Sequence, residues 1–205
     1  EPFGGENTDP TMEIAKALDG YRGDEFVVHS AILPVVQHQS VERIVELIKE
    51  SDPNMVIALG VAVGRSAITP EKVAINFDDF RIPDNAGNQP IGEPIRADGA
   101  AAHFSTLPIN LMTQEICMAQ VSGAVSFTAG TFVCNHVMYG VLDYIEQQSL
   151  PIRAGFIHVP QATEFCDDPD TPTIELPKMI SAIRDAIAAA ANARADVKLN
   201  AGNIQ

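Results

Sequence analysis

Apolar and polar positions along the chain alternate between two periods. After Thr8 or Asp9, either able to cap a helix, Pro10 suits a first turn and Ile14, Ala15 and Leu18 fall on one helical face, closed by Gly20. Phe26–Val28 and Ala31–Val36 read as short extended segments. From Ser40, Val41, Ile44, Val45 and Ile48 repeat at helical spacing until Asp52-Pro53 stops them. Met55–Val63 is almost continuously apolar, the pattern of a strand buried on both faces of a parallel sheet. Residues 64–105 carry Pro70, Pro83, Pro90 and Pro94 and read as a long irregular excursion, with one short strand over Lys72–Phe77. Beyond it the pattern predicts a helix over Leu111–Val121 and a strand over Ala124–Val133. A helix from about Asn135 has Val137, Val141, Leu142 and Ile145 inward, and a buried strand follows over Ala154–Val159. A polar, acidic loop then leads to an alanine-rich helix from Pro177 to about Ala195, with Met179, Ile180, Ile183 and Ile187 on one stripe. Strands alternating with helices imply an α/β fold with helices on both faces of the sheet.

Composition narrows the function. The 205 residues hold 13 Lys+Arg against 27 Asp+Glu, a formal charge of −14 with no basic run, which argues against nucleic acid or anionic membrane as a main partner. With 46% apolar and 20% charged residues, one well-packed domain over residues 1–205 is expected rather than disorder. No apolar stretch approaches the roughly 20 residues that span a bilayer, and no secretory leader pattern opens the chain. Cys117, Cys134 and Cys166 form neither a disulfide framework nor a metal motif, and a reducing, cytoplasmic setting is expected. No dinucleotide or P-loop motif and no metal-binding spacing is present, so neither a cofactor nor a metal is expected.

Cys134 stands out because it follows an apolar segment and opens a helix. There, free N–H groups and the positive dipole end favour a thiolate and could receive an oxyanion. Its bland alternative is an inert buried cysteine. His158 lies near the carboxyl end of a buried strand, the edge where α/β sheets bind ligands, and a Cys–His pair suits acyl transfer. His29, His38 and His103 have weaker claims. His136 sits two residues past Cys134 on the same helix, where side chains diverge. A carboxylate to orient the imidazole could be Glu71, Asp78, Asp79 or Asp84, and local pattern leaves the four open. Arg65 and Arg81 could serve an oxyanion or a carboxylate, or simply form surface ion pairs.

Taken together, these segments resemble the type I pyroglutamyl peptidases, or pyrrolidone carboxyl peptidases. The resemblance rests on Pro2-Phe3-Gly4-Gly5, Gly64-Arg65, Ile68-Thr69-Pro70-Glu71, Val73-Ala74-Ile75-Asn76 and Arg81-Ile82-Pro83-Asp84-Asn85. It continues through Gln89-Pro90, Ser126, Ala129 to His136 (AGTFVCNH) and Gly155 to Pro160 (GFIHVP), in the family's order and spacing.

The resemblance implies a cytoplasmic cysteine peptidase that removes N-terminal pyroglutamate from peptides through a thioester acyl-enzyme. It implies a three-layer α/β/α sandwich on a mostly parallel sheet, a homotetramer, and no metal. It selects Glu71 to orient His158 and makes Cys134 the nucleophile. It maps the pyroglutamyl pocket onto Phe3, Ile82, Phe132 and Val133, with Phe3 and Phe132 sandwiching the lactam, and puts Arg81 near the oxyanion. Some positions depart from the family. Asp9 stands for Asn, Val61 for Gln and Val63 for Gly, and Gln161 to Phe165 (QATEF) replaces a YIPEQ-like stretch. The family's first strand, which precedes the position of Glu1, has no counterpart in this sequence. These departures motivate two rival expectations: a related cysteine amidohydrolase with a shifted substrate, and a non-catalytic binding domain on the same scaffold.

Overall fold

The computed structural model of the chain describes residues 1–5 and 8–202. Helix α1 spans Pro10–Leu18, and the Asp9 carboxylate caps it by accepting from the Thr11 N–H. Helix α2 spans Gln39–Ser51 and leads through Asp52 into strand β1, Met55–Val61. Three short strands interrupt the excursion: β2 at Thr69–Pro70, β3 at Val73–Ile75 and β4 at Ala102–Phe104. Helices α3 (Ile109–Met118) and α4 (Val133–Gln147) follow, then β5 (Arg153–Val159). The acidic segment folds as β6 (Gln161–Ala162), a short 3₁₀ turn and β7 (Thr173–Ile174), and α5 (Leu176–Asn192) ends the helical content.

The central sheet has the order β1-β5-β2. β1 and β5 run parallel over seven residue pairs, whereas β2 pairs antiparallel to β5. Side chains alternate across this sheet with the period of two that strands impose. Ile57, Leu59, Ile157 and Val159 enter one core with Ile14, Met112, Met179 and Ile183, the inward stripes of α1, α3 and α5. Val56, Ala58, Ala154 and Phe156 enter the opposite core with Ile44, Ile48, Val137 and Leu142 from α2 and α4. Helices therefore cover both faces of an α/β sheet, as the strand and helix periods imply. The outer edge of β1 is unpaired among the described residues. A cavity of about 350 Å³ runs along it, lined by apolar groups of both faces, among them Leu18, Ile44, Ile57 and Leu59.

Three expectations about elements are corrected. Phe26–Val28 makes only an isolated bridge, Val27 to Arg22, and Ala31–Val36 forms no strand. Ala124–Val133 is not a strand either; it follows β2 through single parallel bridges, Gly123 to Ile68 and Ser126 to Glu71, and its end already belongs to α4. The β-branched and aromatic composition of these segments suits an extended backbone, but a ladder also needs a partner in register. The sheet is mostly parallel, as expected, with the two-residue β2 re-entering beside β5 in the opposite sense.

Candidate active site

The site forms where β1 and β5 end. In the β5 alternation, Phe156 and His158 face α4 and Ile157 faces away. His158 lies on the middle strand, paired with Gly60 of β1 on one side and Thr69 of β2 on the other. Glu71 follows β2; its N–H donates to the Phe156 carbonyl at 2.9 Å, and this brings the carboxylate to His158. His158 Nδ1 and Glu71 Oε1 are 2.7 Å apart, both groups almost fully buried.

Cys134 is the second residue of α4 and is half-buried. The helix N-cap, Phe132, makes no side-chain cap hydrogen bond. The first-turn N–H groups of Val133, Cys134 and Asn135 have no carbonyl four residues back, so they are placed to receive negative charge beside Sγ. The close approach of sheet and helix here requires glycine. A Cβ on Gly60 would stand 3.0 Å from Cys134 Sγ and 2.7 Å from Phe156 Cζ. With Nδ1 engaged by Glu71, His158 has Nε2 left for Cys134. Burial alone would push the His158 imidazole down. The charge and hydrogen bond of Cys134, with Glu71 behind, outweigh it and raise His158 to about 9.

The chain holds a second buried imidazole–carboxylate pair, and its geometry differs. His136 Nδ1 donates to Asp78 Oδ2 at 2.7 Å, while His136 Nε2 accepts the His38 N–H at 3.1 Å. Both ring nitrogens are used in tying the start of α2 to α4, and none remains for chemistry. The other carboxylates are likewise occupied. Asp79 accepts from the Gly92 N–H, and Asp84 holds a turn by accepting from the N–H groups of Ala86 and Asn88 and from Gln37.

Phe3, Phe132 and Val133 line the mouth of the apolar cavity beside Cys134. Phe3 and Ile82 also line a neighbouring cavity, with Val61, Val63, Arg81 and Gln161. Phe3 and Phe132, the rings expected to sandwich the lactam, lie against each other in this structure. Their ring centroids are 5.6 Å apart at 34°, whereas a planar group stacked between two rings needs roughly 7 Å. The two rings pack on each other, and Phe80 meets Phe132 edge-on. Arg81 is exposed and forms no ion pair among the described residues. Val61 puts an apolar side chain on the wall shared by both cavities.

Sequence reasoning underrated Asn135 and Gly60. The Asn135 side chain accepts from the Ile75 N–H and donates to the carbonyls of Ile75 and Phe77, clamping the segment after Glu71 onto the helix that carries Cys134. Its place beside Cys134 in the motif was the available signal. Among the described residues, no group of three or more His, Cys, Asp or Glu side chains is arranged to hold a metal ion, and no helix is long and apolar enough to cross a membrane.

Comparison with known proteins agrees with this geometry. The profile of the pyroglutamyl peptidase family matches residues 1–193. The pyrrolidone-carboxylate peptidase of Vibrio campbellii is 44% identical over 204 residues, covering all of this chain and 95% of that protein. That of a Thermoanaerobacter species is 47% identical over 189 residues, covering 91% of this chain and 92% of its relative. Among solved structures, pyroglutamyl peptidase I from Bacillus amyloliquefaciens superposes with a TM-score of 0.95 at 41% identity, over 98% of this chain and 95% of that one. The pyrrolidone carboxyl peptidase from Thermococcus litoralis superposes with a TM-score of 0.93 at 34% identity, over 97% and 95%. The profile match and the near-complete coverage of these relatives establish that this chain belongs to the pyroglutamyl peptidase family.

Proposed function

We propose that Cys134, His158 and Glu71 are the residues with which this chain, a cysteine-type exopeptidase, removes N-terminal pyroglutamate from peptides. The observation that carries the assignment is the buried chain Cys134–His158–Glu71, with the imidazole raised to about 9 by its neighbours. In this reading the Cys134 thiolate attacks the pyroglutamyl carbonyl. The oxyanion meets the first-turn N–H groups of α4, and the exposed Arg81 guanidinium approaches from the adjoining cavity. His158 passes its proton to the leaving amine, which departs as the C–N bond breaks and the thioester remains. Water, deprotonated by His158, attacks the thioester and releases pyroglutamate. Phe3, Ile82, Phe132 and Val133 form the apolar walls for the lactam. An uncyclised glutamate would bring two charges into this dry site without partners.

The reading takes residues 1–205 as one catalytic domain working in the cytoplasm and assembling with copies of itself as a tetramer. Ile75, Phe77 and Phe104 support self-association. They leave an exposed apolar face on the antiparallel β3–β4 pair, whose other face, Ala74 and His103, is buried. Release of a fluorescent amine from a pyroglutamyl amide under reducing conditions tests the assignment. Wild-type turnover that disappears in C134A is expected; turnover that survives in C134A would remove Cys134 from the mechanism.

A further inference from the structure

Arg65 lies in the turn after β1, where Gly64 takes φ +93° and the Arg65 N–H donates back to the Ala62 carbonyl. Its guanidinium is partly buried. Nη1 lies 2.6 Å from Glu71 Oε1 and 2.5 Å from Thr69 Oγ1, and Nη2 donates to the Thr128 carbonyl at 3.0 Å. Arg65 therefore ties the end of β1 to the Glu71 segment and to the loop that leads into the Cys134 helix. Glu71 is fully buried, and its Oε2 has no hydrogen-bond partner. Its charge is met entirely at Oε1, which both His158 Nδ1 and Arg65 Nη1 approach. A buried carboxylate with one unpartnered oxygen depends on the groups at its other oxygen to fix its orientation toward the imidazole.

We infer that Arg65 is a positioning residue for the reaction: paired with Glu71 Oε1 and anchored to Thr69 and Thr128, it fixes the Glu71 carboxylate against His158 Nδ1 and sets a permanent positive charge behind it. Cys134, His158, Glu71 and Arg65 then form one row in which acidic and basic side chains alternate. Arg65 and His158 are the ionisable side chains paired with Glu71 among the described residues, and Cys134 lies beyond His158. Arg65 does not line either cavity at the pyroglutamyl pocket, so substrate binding is not its task.

This inference rests on the assignment of Glu71 above, and the test separates the two. Turnover of a pyroglutamyl amide is measured against pH for wild type, R65Q, R65K and E71Q, resolving kcat from KM, with folding followed by thermal melting. R65Q is expected to lose on the order of 10- to 100-fold in kcat with KM changed by about twofold or less, and its acidic limb should move to higher pH. R65K keeps the charge but not the fork to Thr128; its acidic limb should stay at the wild-type position, with kcat closer to wild type than to R65Q. If R65Q keeps the wild-type kcat and limb while E71Q is impaired, the role of Arg65 is overturned and that of Glu71 stands. If R65K and R65Q are impaired alike with the limb unmoved, Arg65 serves folding alone. If E71Q itself keeps the wild-type kcat, the assignment of Glu71 fails. Should R65Q not fold, R65K decides: a kcat as low as that of E71Q overturns the inference, and a higher kcat with an unmoved limb upholds it.

Discussion

Two buried histidines each hold a carboxylate at 2.7 Å, yet only one is equipped for proton transfer. His158 engages Glu71 through Nδ1 and keeps Nε2 for Cys134, whereas His136 uses both nitrogens in the fold. H158A is therefore expected to lower turnover by orders of magnitude. H136A should leave the chemistry of surviving folded molecules intact and lower the melting temperature, since Asp78 and the His38 N–H lose their partner. Comparable loss of turnover in the two variants, at matched folding, would reverse the assignment. pH should act through the same residue. His158 is raised from its ordinary 6.5 to about 9, so its pairing stabilises the fold fully below about 6.5 and is lost as pH rises through about 9. Turnover should fall over that upper limb, because the leaving amine then finds no proton. Under limited iodoacetamide at neutral pH, Cys134 should react ahead of Cys117 and Cys166, which have no helix start or histidine beside them; peptide mapping would show it. Glu71 is legible at this scale only through the resemblance. Four carboxylates share the excursion, and it is their tertiary partners that tell them apart.

At the scale of elements, the catalytic geometry depends on how closely β1 approaches α4. G60A places a methyl within 3.0 Å of Sγ and against the Phe156 ring, and one of the two must move. The expected result is a loss of about 100-fold in kcat/KM, the scale of an ångström-sized misplacement, with a smaller change in melting temperature. Wild-type kinetics in G60A would mean that the helix yields without cost. N135A should destabilise the protein by about 1–3 kcal/mol, because the backbone groups of Ile75 and Phe77 lose a buried partner. Helices were the readable elements. Asp9 caps α1 and Pro10 follows it, and the inward positions of α4 and α5 are the residues that periodicity names. Extended segments were less readable. Val27 and Ser126 sit in stretches rich in β-branched and aromatic residues, but they meet neighbours at single bridges and never build a ladder.

For the whole molecule, the β3–β4 pair presents Ile75 and Phe104 to solvent, with Phe104 66% exposed, on a chain whose net charge is −14. If this face joins copies of the chain, F104E should shift the species seen by sedimentation toward monomer while leaving the Cys134 site assembled. An unchanged oligomer would move the interface elsewhere.

The α/β class, the helix that presents Cys134, the strand that presents His158 and the family are all legible in local pattern, because periodicity, caps and short motifs are local properties. The tertiary structure decided which strands pair and which carboxylate meets His158. It also set one imidazole between Glu71 and Cys134 and the other between α2 and α4, placed Arg65 against Glu71, and packed Phe3 on Phe132. Each of those outcomes depends on contacts between residues far apart in the chain, such as Glu71 with His158 or Arg65 with Thr128, whose register is set by packing across the sheet. Local pattern carries no record of that register.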